Sequence, residues 1–144
     1  MYLDDMKIGM EFTTEPVTID KEKMIAFARD YDPIPLHMDE EYGKTTRFGS
    51  ITAPGVMSFM SVWAKVLKIG FLGDEMIAGF STSMRWLKPV FAGDVLTGKV
   101  TIRDIRRRNA YNGIADVVVD IYNQDGVLVL ESLTESVVKY RTEE

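Results

Sequence analysis

The chain has 144 residues, 46% hydrophobic and 27% charged, the proportions of one ordinary globular domain spanning 1–144. A net charge of -5 and a pI near 5.0 provide no basic field, which argues against nucleic acid or an anionic membrane as the main partner and for a small molecule or another protein. One histidine and no cysteine exclude a disulfide, a thiol nucleophile and a four-ligand zinc site; with no secretion signal and no run of about 20 apolar residues, a cytoplasmic protein without a metal is expected.

A strand is expected over 11–19, after which Asp20 caps a helix reaching Tyr31, because Met24, Ile25, Phe27, Ala28 and Tyr31 recur at helical spacing. Pro33 and Pro35 remove backbone donors and push their predecessors toward extended conformations. The spacing therefore predicts a stiff, non-helical segment carrying Leu36, His37 and Met38. A helical turn follows at 40–46, with Asp39 as its N-cap. "VMSFMSVWAKVLKIGF", residues 56–71, entered through Pro54 and Gly55, reads as a largely buried helix.

From Met76 onward β-branched residues alternate with polar ones in "MIAGFSTSMRWLKPVF", "DVLTGKVTIRDIRR", "GIADVVVDIYNQDG" and "VLVLESLTESVVKYR", which read as four strands. The breaks at "AGD", "NAYNG" and "NQDG" are short turns, so neighbouring strands run antiparallel. The whole is an α+β domain in which an antiparallel sheet must wrap around the long apolar helix to bury it.

Three stretches carry a resemblance to a known family. "FARDYDPIPLHMD" (27–39) is similar to a helix end followed by D-x-N-P-[IL]-H-x-D; "FGSITAPG" (48–55) to FG-x-x-[IV]-A-H-G; and "RWLKPVFAGD" (85–94) to R-[FW]-L-x-P-V-[FY]-x-G-D. Together, in this order, they resemble the MaoC-like hydratases and dehydratases of the hot-dog fold, which include the R-specific enoyl-CoA hydratases. Two positions depart from that pattern: Ile34 stands where the family usually has asparagine, and Pro54 where it often has histidine.

The resemblance implies reversible hydration of a 2-enoyl-CoA to the R-3-hydroxyacyl-CoA. Asp32 and His37 would hold and activate one water, each proton transfer contributing about 10²- to 10⁴-fold. The amide of Gly55, at a helix start, would hold the thioester oxygen. Ile34 and Pro54 are expected near substrate, and Arg47, Lys88, Arg106 and Arg107 are candidates for the coenzyme A phosphates, since guanidinium forks suit phosphate oxygens. No cofactor is expected beyond coenzyme A carried as part of the substrate; the partner would be an acyl-CoA or an acyl-carrier-protein thioester. Because a curved sheet leaves an exposed edge and the family pairs two sheets, a homodimer is expected.

Each residue also has a plain structural reading. Asp32 ends a helix, Gly49 and Gly55 serve backbone geometry, and "RDIRRR" (103–108) is a solvated hairpin. Ser58, Ser61 and Ser83 lack a G-x-S-x-G setting and read as packing or solvent positions. The methionines at 57, 60, 76 and 84 fill the core or line an acyl pocket. Two other functions stay open: a hot-dog acyl-CoA thioesterase using Asp32, and a non-catalytic acyl-thioester-binding or assembly module, which the departures at Ile34 and Pro54 favour.

Overall fold

The structure, a computed structural model, describes residues 1–142. After a 3₁₀ turn at Leu3–Asp5, the expected first strand is split into β1 (Glu11–Thr13) and β2 (Val17–Thr18), with Pro16, which has no N–H to give a ladder, in the gap. Asp20 caps α1 (Lys21–Tyr31) by accepting from the Lys23 N–H at 2.9 Å, and Asp39 caps α3 (Glu40–Thr45) by accepting from Glu41 and Tyr42. Between them the structure corrects the sequence reading: Pro35–Met38 is a short helix, α2, rather than a non-helical segment. Proline is well accommodated at the first helical position, where its missing N–H would have no partner, and the restriction it imposes falls on extended Ile34 instead.

The long helix α4 (Gly55–Ile69) lies against the sheet formed by β3 (Met76–Trp86), β4 (Val95–Arg107), β5 (Asn112–Tyr122) and β6 (Leu128–Lys139). All pairings are antiparallel, in the order β1-β4-β5-β6-β3, with β2 also on β4. Along β4, Leu96, Gly98, Val100 and Ile102 face the helix. A bulge between Ile102 and Asp104 then reverses the alternation, so that Ile105 points inward and Asp104 and Arg106 outward. Outside, Arg106 donates to Asp116 at 2.8 Å and to Asp104 at 3.3 Å, and also to Glu135, tying three strands together.

The helix is less buried than its composition suggests. Met57, Phe59, Val62 and Val66 enter the core, but Val56, Met60 and Leu67 are each more than two-fifths exposed and form one stripe with half-buried Trp63. The sheet edges are also unequal: β1 and β2 are very short, whereas β3 is a full-length edge strand, mostly exposed, carrying Ile77 and Phe80 in the open. Among the described residues no helix is long and apolar enough to cross a membrane.

On the outer sheet face Asp120 lies across from Lys99 and Glu131. Burial first, and the Glu131 carboxylate second, hold its carboxyl above the ordinary range, against the opposing pull of Lys99. The native state thus keeps this proton more tightly than the unfolded chain does, and stability falls as pH rises through the carboxylate range. Asp120→Asn should raise the melting temperature at pH 7 by about 1–4 °C, as expected for relieving a like-charge cross-strand pair. In thermal scans the gain should disappear at acid pH, where Asp120 is protonated in both states.

Candidate active site

The loop after α1 is built by its prolines. The Asp32 N–H closes α1 by donating to the Ala28 carbonyl; across Pro33 the Ile34 N–H donates back to the Asp32 carbonyl at 2.8 Å, a three-residue turn. Pro35 then starts α2, and the His37 N–H donates to the Ile34 carbonyl. Within this frame the two side chains meet: His37 Nε2 lies 3.3 Å from Asp32 Oδ2.

The other ring nitrogen fixes the state of the first. His37 Nδ1 is 2.6 Å from the Thr52 carbonyl oxygen, which can only accept, so Nδ1 carries the hydrogen and Nε2 is the nitrogen that exchanges protons. Thr52 is itself pinned, its N–H donating to the Leu36 carbonyl, while the neighbouring Ala53 N–H donates to Val90. The imidazole is 9% exposed and the Asp32 side chain 44%, so a buried ring stands behind a carboxylate that solvent or substrate can reach. The separation is longer than a charge-assisted bond of about 2.7–2.9 Å.

A cavity of ≈ 290 Å³ opens in front of the pair, lined by Asp32, Thr52, Gly55, Ser58, Trp86 and Lys88 among others. Gly55 begins α4 after Pro54, which provides no side-chain cap, so the first N–H groups and the positive end of the helix face this region. Gly55 is required there by close approach: a Cβ would sit 2.2 Å from Trp86 Nε1. Among the described residues no group of three or more His, Asp or Glu side chains is placed to hold a metal ion.

The expected site residues fall into two sets. Asp32, His37, Gly55 and Lys88 come together. Arg106 does not join them: the bulge in β4 turns it to the outer sheet face, where three carboxylates occupy its guanidinium, and this corrects its expected role at a phosphate. Arg47 lies over the Phe48 ring and Arg107 over the Tyr140 ring, neither lining the cavity. Ile34 is 46% exposed and outside the cavity wall, so its contribution is the carbonyl that starts α2; Pro54 is buried, its carbonyl accepting from the Ser58 N–H. Neither side chain lines the cavity, although Pro54 sits between Ala53 and Gly55, which do. Of the methionines, Met57 is in the core, Met60 is exposed, and none lines the cavity.

Three contributors escaped sequence reasoning. Thr52 acts through its main-chain carbonyl, which leaves no side-chain signal. Trp86 stood inside a quoted motif but its position over Gly55 is a tertiary fact. Ser58, read as packing, reaches the cavity one helical turn after Pro54.

An antiparallel sheet curled around one helix is the hot-dog fold. A family model described as a MaoC like domain matches residues 5–122, and the chain belongs to that family. The uncharacterized protein YdeM of Bacillus subtilis (strain 168) is 33% identical over 140 residues, covering 96% of this chain and 99% of YdeM. Among solved structures, the MaoC-like dehydratase from Rhodospirillum rubrum superimposes with a TM-score of 0.91 at 27% identity, covering 99% of both chains. The (R)-hydratase from A. caviae involved in PHA biosynthesis gives a TM-score of 0.75 at 27% identity, covering 95% of this chain and 98% of that one.

Gly55→Ala should displace the Trp86 indole, seen as a shift in tryptophan emission, and lower stability by about 1–3 kcal/mol in denaturant unfolding, the usual range for overpacking. In a Trp86→Ala background the same substitution should cost little, since the clashing ring is gone.

Proposed function

We propose that the protein catalyses the reversible hydration of 2-enoyl-CoA thioesters to R-3-hydroxyacyl-CoA. The observation that carries this reading is the Asp32–His37 pair, with a fixed tautomer, at the mouth of a cavity whose wall includes the start of α4. A water held between Asp32 and His37 Nε2 gives up a proton to the pair as its oxygen bonds to C3. The π electrons move to the thioester oxygen, where the Gly55 amide stabilises the enolate; the pair then returns a proton to the α-carbon as the carbonyl re-forms. The net change is addition of water, so proton transfers suffice and coenzyme A enters only as part of the substrate. The likeness to the A. caviae (R)-hydratase supports the same assignment.

Two copies would complete the enzyme. The β3 edge and the apolar stripe of α4 expose Phe80, Met60 and Leu67, and pairing two β3 edges would cover both features at once. Light scattering should give twice the chain mass, and Phe80→Asp should shift it toward the monomer.

Incubation with crotonyl-CoA separates the possible activities. Loss of enoyl absorbance without free thiol is the expected result; thiol release would indicate a thioesterase, and no change with crotonyl-CoA bound would indicate a binding module. Asp32→Asn and His37→Ala should each lower kcat by about 10²-fold or more with an unchanged circular dichroism spectrum. Full activity in both would refute the site.

A further inference from the structure

Trp86 ends β3 at the catalytic cavity, and main-chain bonds set its place there. Its partner across the sheet is Leu130, and the Leu87 and Lys88 N–H groups that follow it both donate to the Val129 carbonyl, at 2.9 and 3.3 Å. From this strand end the ring reaches the start of α4. The three heavy atoms nearest the position of a Gly55 Cβ are Trp86 Nε1 at 2.2 Å, Cε2 at 2.4 Å and Cδ1 at 2.8 Å, so the pyrrole edge of the indole, and not its benzo edge, lies against the glycine. This inverts the usual habit of a half-exposed tryptophan, which rests its apolar body on the protein and turns its N–H to water. Among the described residues no protein group accepts from Nε1, and the ring lines the same cavity as Asp32.

One oxygen can reach both this N–H and the Gly55 amide. A Cβ stands about 2.5 Å from its own residue's nitrogen, which puts Nε1 no more than about 4.7 Å from the Gly55 nitrogen. Two donors, each about 2.9 Å from a shared oxygen, can stand as far as about 5.8 Å apart. The residue before Gly55 cannot supply a second donor, because Pro54 has no N–H and its side chain caps nothing. We propose that Trp86 Nε1–H is a catalytic donor of the hydration, sharing with the Gly55 amide the charge that collects on the thioester oxygen as the water oxygen bonds to C3. The inference rests on the hydratase reading and adds to it a side-chain donor carried by the sheet. The indole gives up no proton. Its hydrogen bond strengthens as the carbonyl becomes an enolate and weakens as the carbonyl re-forms. Because the backbone on either side of the ring is bonded to β6, the donor stands in place before substrate arrives.

Trp86→Phe keeps an aromatic ring and removes the N–H. With crotonyl-CoA it should lower kcat about tenfold or more and leave KM within about twofold, the mark of an interaction made chiefly in the transition state. A smaller fall in kcat overturns the proposal. Polarisation of the carbonyl is read separately with 2,4-hexadienoyl-CoA, whose absorption moves to the red when donors draw electrons toward the thioester oxygen, a change that packing alone does not produce. Saturating this ligand with the slow Asp32→Asn protein should give a red shift, and adding Trp86→Phe to that background should remove about half of it or more, as one of two donors is lost. An equal shift in both proteins, or none in either, overturns the proposal. Where the wild-type protein leaves crotonyl-CoA unchanged, a Trp86-dependent red shift keeps the donor at the thioester oxygen and refutes hydration; hydration with a Trp86-independent shift refutes the donor alone. Replacing tryptophan by 3-benzothienylalanine in a Trp63→Phe chain exchanges the N–H for sulfur at nearly constant shape and should reproduce both losses. Unchanged kcat and an unchanged shift in that protein overturn the proposal even if Trp86→Phe does not fold.

Discussion

Everything in this molecule is indexed to the contact between α4 and the middle of the sheet. At Gly98 the missing side chain lets Val62 approach so closely that a Cβ there would lie 2.7 Å from Val62 Cγ1, and both neighbours of that contact, Thr14 and Val119, are themselves buried. A helix seated at this depth has little freedom to slide, because interiors are packed as densely as crystals. Its first residue is therefore fixed relative to the strand ends, and Gly55 meets the Trp86 ring at one end of β3 while the 51–54 segment is stitched to both α2 and Val90. The candidate pair is thus held by segments that main-chain hydrogen bonds tie to their neighbours, Asp32 to the end of α1 and Thr52 to α2.

Much of this was legible in the sequence because the elements differ in period. Helical spacing marked α1 and α4, alternation marked β3 to β6, and Asp20 and Asp39 are N-caps whose side chains do what their positions suggest. Less legible were features that depend on a partner far along the chain. The α2 turn was hidden because two prolines argue against helix unless one is seen to occupy the first helical position. The outward turn of Arg106 was hidden because a bulge, which no residue in "RDIRRR" announces, reverses the strand's alternation. The Thr52 carbonyl was hidden because main-chain acceptors have no sequence signature.

The two departures from the family pattern look different once placed. Ile34 and Pro54 occupy positions that shape backbone, one starting α2 and the other preceding α4, and both are absent from the cavity wall. Replacing polar side chains there removes neither the carboxylate nor the imidazole and leaves the path of the chain intact. The uneven sheet edges work at a larger scale: short β1 and β2 offer little to pair with, so β3 is the side on which another strand can add.

The bond from His37 Nδ1 to the Thr52 carbonyl has a stereochemical consequence. With that nitrogen committed to the main chain, the ring exchanges protons only through Nε2, on the side where Asp32 stands. Under the proposed reaction the proton taken from water and the proton given to the α-carbon pass through one place. Both new bonds then form on the same face of the double bond, a syn addition, while the handedness of the product is set separately by which face of the enoyl group the cavity turns toward Asp32 and His37.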